Sequence, residues 1–350
     1  MTGPLLVIAH EATRTGSPQV LLDLLRFVAP QLEMGLRVEL LAGGPLSEPL
    51  LAVATPGDPA DLPGAVLVNG ASAAGELHRF PPQIPTAVYV HEVGDALAVL
   101  PPACVAALVD RADRVVCVSR AAERDLVALG VRAERIELLA PVIAERAHPS
   151  DEKVADARSM LGAGERTPLF VGCGEAGWRK GADLFIDIAR RIGDVDDKAA
   201  FAWVGARPRA FGRVLDHDTR LVGLAERLRW VGELEDVRPA LAAADVLIMT
   251  SREDPQPLTP LEAAVVGTPT VGFAVGGLND LKEAGAAMTA SYPDTAALAA
   301  LAQRVFGSPE LADSLVGCGR GRIEERQSIA VVGPRFLNIV STLPNEVPGR

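Results

Sequence analysis

Short apolar runs alternate with segments of helical period along nearly all of the 350 residues, and this alternation constrains the fold more than any other feature. Leu5–Ala9, Arg37–Ala42, Ala65–Val68, Thr86–Val90, Arg114–Val118 and Arg135–Leu139 read as strands. Between them, Pro18–Glu33 reads as a helix with Leu21, Leu24, Leu25 and Val28 on one face, and Arg120–Leu129 as a helix ended by Gly130. Apolar strands separated by helices require a parallel sheet covered on both faces. The alternation lapses at Ala140–Pro149, where Pro141 and Pro149 stand, then passes a charged helix at Asp151–Leu161 and the Gly162-Ala163-Gly164 turn. It restarts with strands expected at Pro168–Gly172, Ala200–Val204, Leu228–Val231, Val246–Thr250 and Thr270–Ala274. Helices are expected at Ala182–Ile192, Thr219–Arg227, Val237–Ala244 and from Pro260. The pattern predicts an α/β protein of two tandem Rossmann-like domains, residues 1–148 and 149–323. Residues 324–350 form a mixed helical segment, broken at Gly333-Pro334, that is expected to cross back to the first domain.

The length fits two domains at about 150 residues each. Hydrophobic residues make up 49% and charged residues 23%, enough apolar material for two cores. A net charge of −11 argues against nucleic acid as a partner and limits membrane contact to a peripheral kind, because phosphate-rich surfaces reward a basic face. Cys104, Cys117, Cys173 and Cys318 form no CxxC pair and the five histidines are scattered, so neither a disulfide framework nor a metal site is expected, and the cytoplasm is the expected compartment. The first apolar run stops at His10-Glu11 and lacks a basic leader, so it reads as a strand and not as a signal peptide. The uncharged stretch Ala263–Asn279 carries glycines and a proline that exclude a membrane-spanning helix.

In open parallel sheets ligands bind beyond the carboxyl ends of the strands, where helix N-termini offer unpaired N–H groups suited to phosphate. Three junctions carry residues that fit this place. In Thr15-Gly16-Ser17-Pro18, Ser17 reads as an N-cap with Pro18 at the first helical position, and Gly16 lets a ligand approach the backbone. In Gly172–Gly181, Arg179 and Lys180 stand just before an amphipathic helix, where two cations oppose the helix dipole and call for an anion; a diphosphate fits. In Ser251–Ala264, Thr259–Glu262 reads as a T-x-x-E capping box, which is a structural explanation for Glu262, whereas Asp254 and the loop through Pro257 are left for a ligand. His91, at the end of the run Thr86–Val90, stands where either a structural or a ligand-binding histidine would. Ser119 reads as an N-cap, and Arg207, Arg209 and Arg213 as a solvated face. No G-x-G-x-x-G follows the first strand, which disfavours a nicotinamide dehydrogenase.

Taken in order, these stretches resemble the family 4 glycosyltransferases. Ser251-Arg252-Glu253-Asp254-Pro255 through Leu261-Glu262-Ala263 is similar to that family's paired-acid signature, with Asp254 and Glu262 as the pair. Trp178-Arg179-Lys180-Gly181 resembles its phosphate-binding element, Thr15–Pro18 its N-terminal glycine loop, and Tyr89-Val90-His91-Glu92 its N-domain histidine segment. The resemblance implies a GT-B architecture, two Rossmann-like domains facing a cleft, and a retaining, metal-independent transfer from a nucleotide-diphosphate sugar, which is a co-substrate; no cofactor is expected. It implies that Lys180 and Arg179 hold the diphosphate and that Glu262 accepts from the ribose hydroxyls. Asp254 would contact the donor sugar, and the backbone of Pro257, Leu258 and Thr259 would line the donor. Gly16 and Ser17 would close on the donor, and His91 would stand near the reacting centre.

Departures from the pattern are specific. Asp254 stands where glutamate is usual, Pro255-Gln256-Pro257 replaces an aromatic-glycine stretch, and Cys173-Gly174 occupies the place of an arginine for which Arg179 would substitute. Two other readings stay open on sequence: a catalytically silent glycosyltransferase-like partner subunit, and a GT-B nucleotide-sugar epimerase. The acceptor is not identified; the loops Gly43–Gly64 and Asn69–Pro85 are its expected contacts, with small molecules, lipid-linked glycans and polysaccharides all compatible.

Overall fold

The computed structural model describes residues 3–54, 62–145 and 147–343. The chain divides into two compact units, residues 1–145 with 324–350, and residues 146–323. Unit 1 is built on a parallel sheet of six strands, β1 Leu5–Ala9, β2 Leu36–Leu40, β3 Ala65–Asn69, β4 Thr86–Val90, β5 Arg114–Cys117 and β6 Ile136–Leu138, in the order β2-β1-β3-β4-β5-β6. Unit 2 repeats the plan with β7 Leu169–Cys173, β8 Ala200–Val204, β9 Leu228–Gly232, β10 Val246–Met249, β11 Thr270–Phe273 and β12 Met288–Ala290, in the order β12-β11-β10-β7-β8-β9.

Every residue of β1, β3 and β4 is buried, as the unbroken apolar runs require of strands covered on both faces. In β7 the side chains alternate: Phe170 joins Phe185, Phe201 and Trp203 on one side, while Leu169 and Val171 join Ala202, Ala240 and Leu161 on the other. Each sheet has one place where the strand order reverses. In unit 1 it lies between β1 and β3, and in unit 2 between β7 and β10. There the loops leaving adjacent strands diverge and open a crevice at the strands' carboxyl ends.

The eleven expected strands are present with ends shifted by a residue or two, and β12 is the addition; at three residues it carries too little pattern to read. Several helices differ from expectation. The helix placed at Thr219–Arg227 runs instead over Arg209–Leu221, because Phe211, Leu215 and Thr219 supply the inward face and Gly223, in the left-handed region, ends the segment. The first helix spans Gly16–Val28 with Thr15 at its N-cap, and Ser17 lies inside its first turn. The last helix, Ile329–Thr342, continues through Pro334, which was expected to break it. Its inward residues Val332, Gly333, Phe336, Ile339 and Val340 are buried, and Gly333 lies against the Phe27 ring of the first helix, so packing outweighs the missing N–H. The expected cap at Ser119 is formed, its hydroxyl accepting from the Ala122 N–H, and Gly130 ends that helix in the left-handed region. Part of the stretch Gly43–Gly64 lies outside the described residues; Ser47–Ala52 within it is helical, and Ala71–Arg79 is a 3-10 segment with Ala71, Ala73, Ala74 and Leu77 buried. Among the described residues no helix is long and apolar enough to cross a membrane.

Phe336 is fully buried, its ring 6.3 Å from that of Tyr89. Phe336→Ala is expected to cost about 3–5 kcal/mol of stability, the usual range for a buried aromatic reduced to alanine. Denaturant unfolding followed by circular dichroism checks this, and an unchanged midpoint would show that the last helix is not part of the core of unit 1.

Candidate functional site

In unit 2 the loops following β7 and β10 run side by side at the point of reversal. Hydrogen bonds join them. The Arg252 N–H donates to the Arg179 carbonyl at 2.8 Å, and the Thr250 hydroxyl to that of Lys180 at 2.9 Å. The Arg252 guanidinium donates to the Trp178 carbonyl at 2.6 Å, and that of Arg179 to the Glu253 carbonyl at 3.1 Å. Arg252 also forms a forked pair with Asp183, which holds its pKa up, and stacks on the Trp178 ring. This close approach requires Gly181: its φ is +68°, and a β-carbon there would collide with the Thr250 carbonyl.

The Lys180 stem lies along Gly174, and its ammonium meets the Asp254 carboxylate, Nζ to Oδ2, at 2.5 Å. The Ser251 hydroxyl donates to the same oxygen at 3.2 Å. Both partners are largely desolvated, with side-chain exposures of 16% and 6%. Asp254 is held from behind by Gly276 and Gly277: the Gly277 N–H donates to the Asp254 carbonyl at 2.9 Å, and Gly276 leaves no room for a side chain. The counter-charge of Lys180 is thus supplied, in the free protein, by Asp254. Arg179 takes no part in this pair and is exposed.

The helix Thr259–Val266 begins one residue earlier than expected. Leu258 is its N-cap, Pro260 lies within its first two positions, and no side chain caps it. The expected capping box is therefore not formed: the Glu262 N–H donates to the Leu258 carbonyl, and the Thr259 hydroxyl instead interacts with the Cys173 thiol. Burial pushes that thiol up to about 12, with the Glu262 carboxylate adding to the shift and Lys180 and Thr259 opposing it. Glu262 also contributes to raising the pKa of Arg238, whose main partner is Asp236. Lys180, Asp254, Thr259 and Glu262 are therefore brought together, beside the buried Pro257. Cys173 and Arg238 are members that sequence reasoning missed; Cys173 ends an apolar run, a position that could have marked it. Gln256, between the acids, is buried with its Nε2 unpartnered. Arg207, Arg209 and Arg213 are all exposed, and Arg207 pairs with Asp216 and lies over the Trp230 ring.

In unit 1 the point of reversal gathers Ser17, Asn69 and His91. Ser17 does not cap the first helix; its oxygen accepts from the Asn69 Nδ2 at 2.9 Å, and Gly16 beside it is exposed. The Asn69 Oδ1 lies 2.9 Å from the His91 Nε2, and the Asn69 carbonyl accepts from the His10 Nδ1 at 3.0 Å. The His91 ring lies against that of Tyr89, tilted by 51°, with centroids 4.2 Å apart. Burial, aided by His10, lowers its pKa to about 3, so the imidazole is neutral at physiological pH. Asn69 was not singled out from sequence; its signal was a polar residue directly after the run Ala65–Val68. Among the described residues no group of three or more His, Cys, Asp or Glu side chains is arranged to hold a metal ion, and the four cysteines are unpaired.

Residues 165–307, within unit 2, match the family model Glycosyl transferases group 1. The lipopolysaccharide core biosynthesis mannosyltransferase LpsB of Rhizobium meliloti (strain 1021) is 34% identical over 149 residues, 41% of this chain and 42% of that protein. The 2-deoxystreptamine N-acetyl-D-glucosaminyltransferase of Streptomyces fradiae is 35% identical over 124 residues, 34% of this chain and 29% of that protein. The matched segments thus span less than half the length of these relatives. The crystal structure of Anabaena Alr3699/HepE in complex with UDP and glucose superposes with a TM-score of 0.84 at 17% identity, covering 97% of this chain and all of that one. The fold is GT-B, and the resemblance to glycosyltransferases read from the motifs is borne out.

Neutral His91 has a consequence for acid stability. Between its ordinary pKa of 6.5 and its native value of about 3 the unfolded chain binds a proton that the native chain does not, so stability falls as pH drops through this window. His91→Gln is expected to flatten that part of the stability–pH curve, measured by denaturant unfolding at several pH values; an unchanged slope would mean that His91 ionises freely in the folded protein.

Proposed function

Taking residues 165–307 as a glycosyl transferases group 1 domain carried on a GT-B fold, we propose that the protein transfers a sugar from a nucleotide-diphosphate donor to a hydroxyl of an acceptor, with retention of configuration and without a metal ion. The observation that carries this reading is the desolvated Lys180 ammonium, fixed on Asp254 at the point where the strand order of unit 2 reverses. The UDP and glucose of the Anabaena neighbour support a nucleoside diphosphate and a sugar as the donor's two halves.

When the donor binds, its diphosphate takes Lys180 over from Asp254, and the freed carboxylate accepts hydrogen bonds from the donor sugar. The first-turn N–H groups of Leu258 and Thr259, which have no acceptor within their helix, complete the anion site beside the rigid Pro257 turn. Glu262 accepts from the ribose hydroxyls, and Arg179 swings from the Glu253 carbonyl to the phosphates. In the transfer the bond from the sugar's anomeric carbon to the diphosphate oxygen breaks, and its electron pair stays on the diphosphate. The acceptor oxygen bonds to that carbon from the same side, and its proton passes to the leaving phosphate. Lys180 and the helix N-terminus stabilise the charge as it develops. In unit 1, Gly16 gives a sugar-bearing ligand close access to the backbone, and the neutral His91 hydrogen-bonds a hydroxyl of such a ligand. Unpaired cysteines suit the cytoplasm as the compartment.

Lys180→Ala is expected to weaken nucleoside-diphosphate binding by about 10- to 100-fold, the worth of a charge-assisted hydrogen bond in a desolvated site. Calorimetric titration with UDP, GDP, ADP and TDP measures it, with Arg213→Ala as the control and thermal melting to verify folding. Equal affinity of folded Lys180→Ala and wild type for the best of these ligands would overturn the assignment.

A further inference from the structure

Asn69 is fully buried at the carboxyl end of β3, and its side-chain amide has two chemically distinct ends. The Nδ2 donates to the Ser17 oxygen at 2.9 Å, so the Oδ1, 2.9 Å from the His91 Nε2, can only accept. A neutral imidazole carries one N–H. Here that N–H is on Nε2, which leaves Nδ1 as the nitrogen with the free lone pair; among the described residues Nδ1 takes no partner. Ser17, already accepting, keeps its own O–H to give.

We infer that Asn69 is the positioning residue of unit 1: it fixes His91 in the Nε2–H tautomer, so that Nδ1 accepts from a ligand hydroxyl while Ser17 donates to a ligand oxygen. The inference rests on the reading that a sugar-bearing ligand binds here, because a polyhydroxylated ligand supplies both partners at short spacing. The groups around His91 leave the tautomer to Asn69. His10 and Glu11 follow β1, and the His10 Nδ1 is taken by the Asn69 carbonyl. Glu92 accepts from the backbone N–H groups of His91 and Ser72. Tyr89 presents its ring, and its hydroxyl donates to the Leu139 carbonyl. Cys117 on β5 and Arg335 on the last helix act on Tyr89.

The test uses nitrogen-15 histidine labelling of the full chain, with His91→Gln assigning its resonances among the five histidines. Wild type is expected to show His91 as the Nε2–H tautomer with no titration between about pH 5 and 7, where an ordinary histidine titrates. Asn69→Ala is expected to release the tautomer to a mixture. Asn69→Asp, nearly the same shape, is expected to bring the titration of His91 into that range, because a carboxylate favours the imidazolium. The Nδ1–H form in wild type, or unchanged spectra in both variants, would overturn the inference. In nucleotide-sugar turnover, Asn69→Asp is expected to lose about tenfold or more in kcat towards acid pH, the scale of a mispositioned proton-transfer or hydrogen-bonding group, with the donor KM kept. Unchanged kcat would remove the role in ligand recognition. Absence of turnover in wild type would count against the proposed function, and the spectra would still decide the tautomer.

Discussion

The contact between the Lys180 ammonium and the Asp254 carboxylate links the loops after β7 and β10 of the second unit. Each group comes from a loop after one of two neighbouring strands, and neither loop would hold its charge in place alone. Desolvating a lysine and an aspartate costs free energy that their attraction only partly offsets, so such a pair is weak evidence of stabilisation. Its consequence is placement. On the proposed function, an ammonium fixed near a helix N-terminus, between strands whose connections diverge, is held by Asp254 until the donor's diphosphate takes it over. Gly181 serves this placement by admitting the contact with Thr250 that brings the two loops together, and Gly276, after β11, by admitting the close approach to the Asp254 backbone. Preorganisation of this kind lets a site stabilise developing charge without reorganising during the reaction.

The first unit uses the same place in its sheet for different chemistry. Where unit 2 has an ion pair, unit 1 has a chain of neutral groups, Ser17, Asn69 and His91, running across the ends of β1, β3 and β4. Burial keeps the imidazole uncharged. A cationic site suits a leaving diphosphate, whereas neutral donors and acceptors with fixed orientation suit hydroxyl groups. The difference between the two places follows from which side chains end the strands: Cys173 and the Lys180 loop after β7, Asn69 at the end of β3, His91 after β4.

Much of this was legible in the sequence because buried parallel strands write themselves as unbroken apolar runs, and their spacing betrays the alternating helices. Lys180, Asp254 and Glu262 were legible because charged residues next to such runs have few structural reasons to be there. Local rules misled at the helix ends. Ser17 and Thr259 look like caps, yet each hydroxyl is drawn to a tertiary partner, Asn69 for one and Cys173 for the other, and the helices start earlier. Pro334 was read as a break because propensity cannot see the Phe27 ring against Gly333. Asn69 and Arg238 escaped notice because their roles exist only through residues distant in the chain.

A crystal structure of the full chain with UDP, or with whichever nucleoside diphosphate binds best, measures the central distance directly. If the ion pair is a held-ready diphosphate site, the Lys180 Nζ will lie within about 3 Å of a phosphate oxygen, the length of a charge-assisted hydrogen bond, and will have left Asp254. A nucleotide bound elsewhere, with Nζ still on the Asp254 carboxylate, would contradict that claim and leave the pair as a structural clasp between two loops.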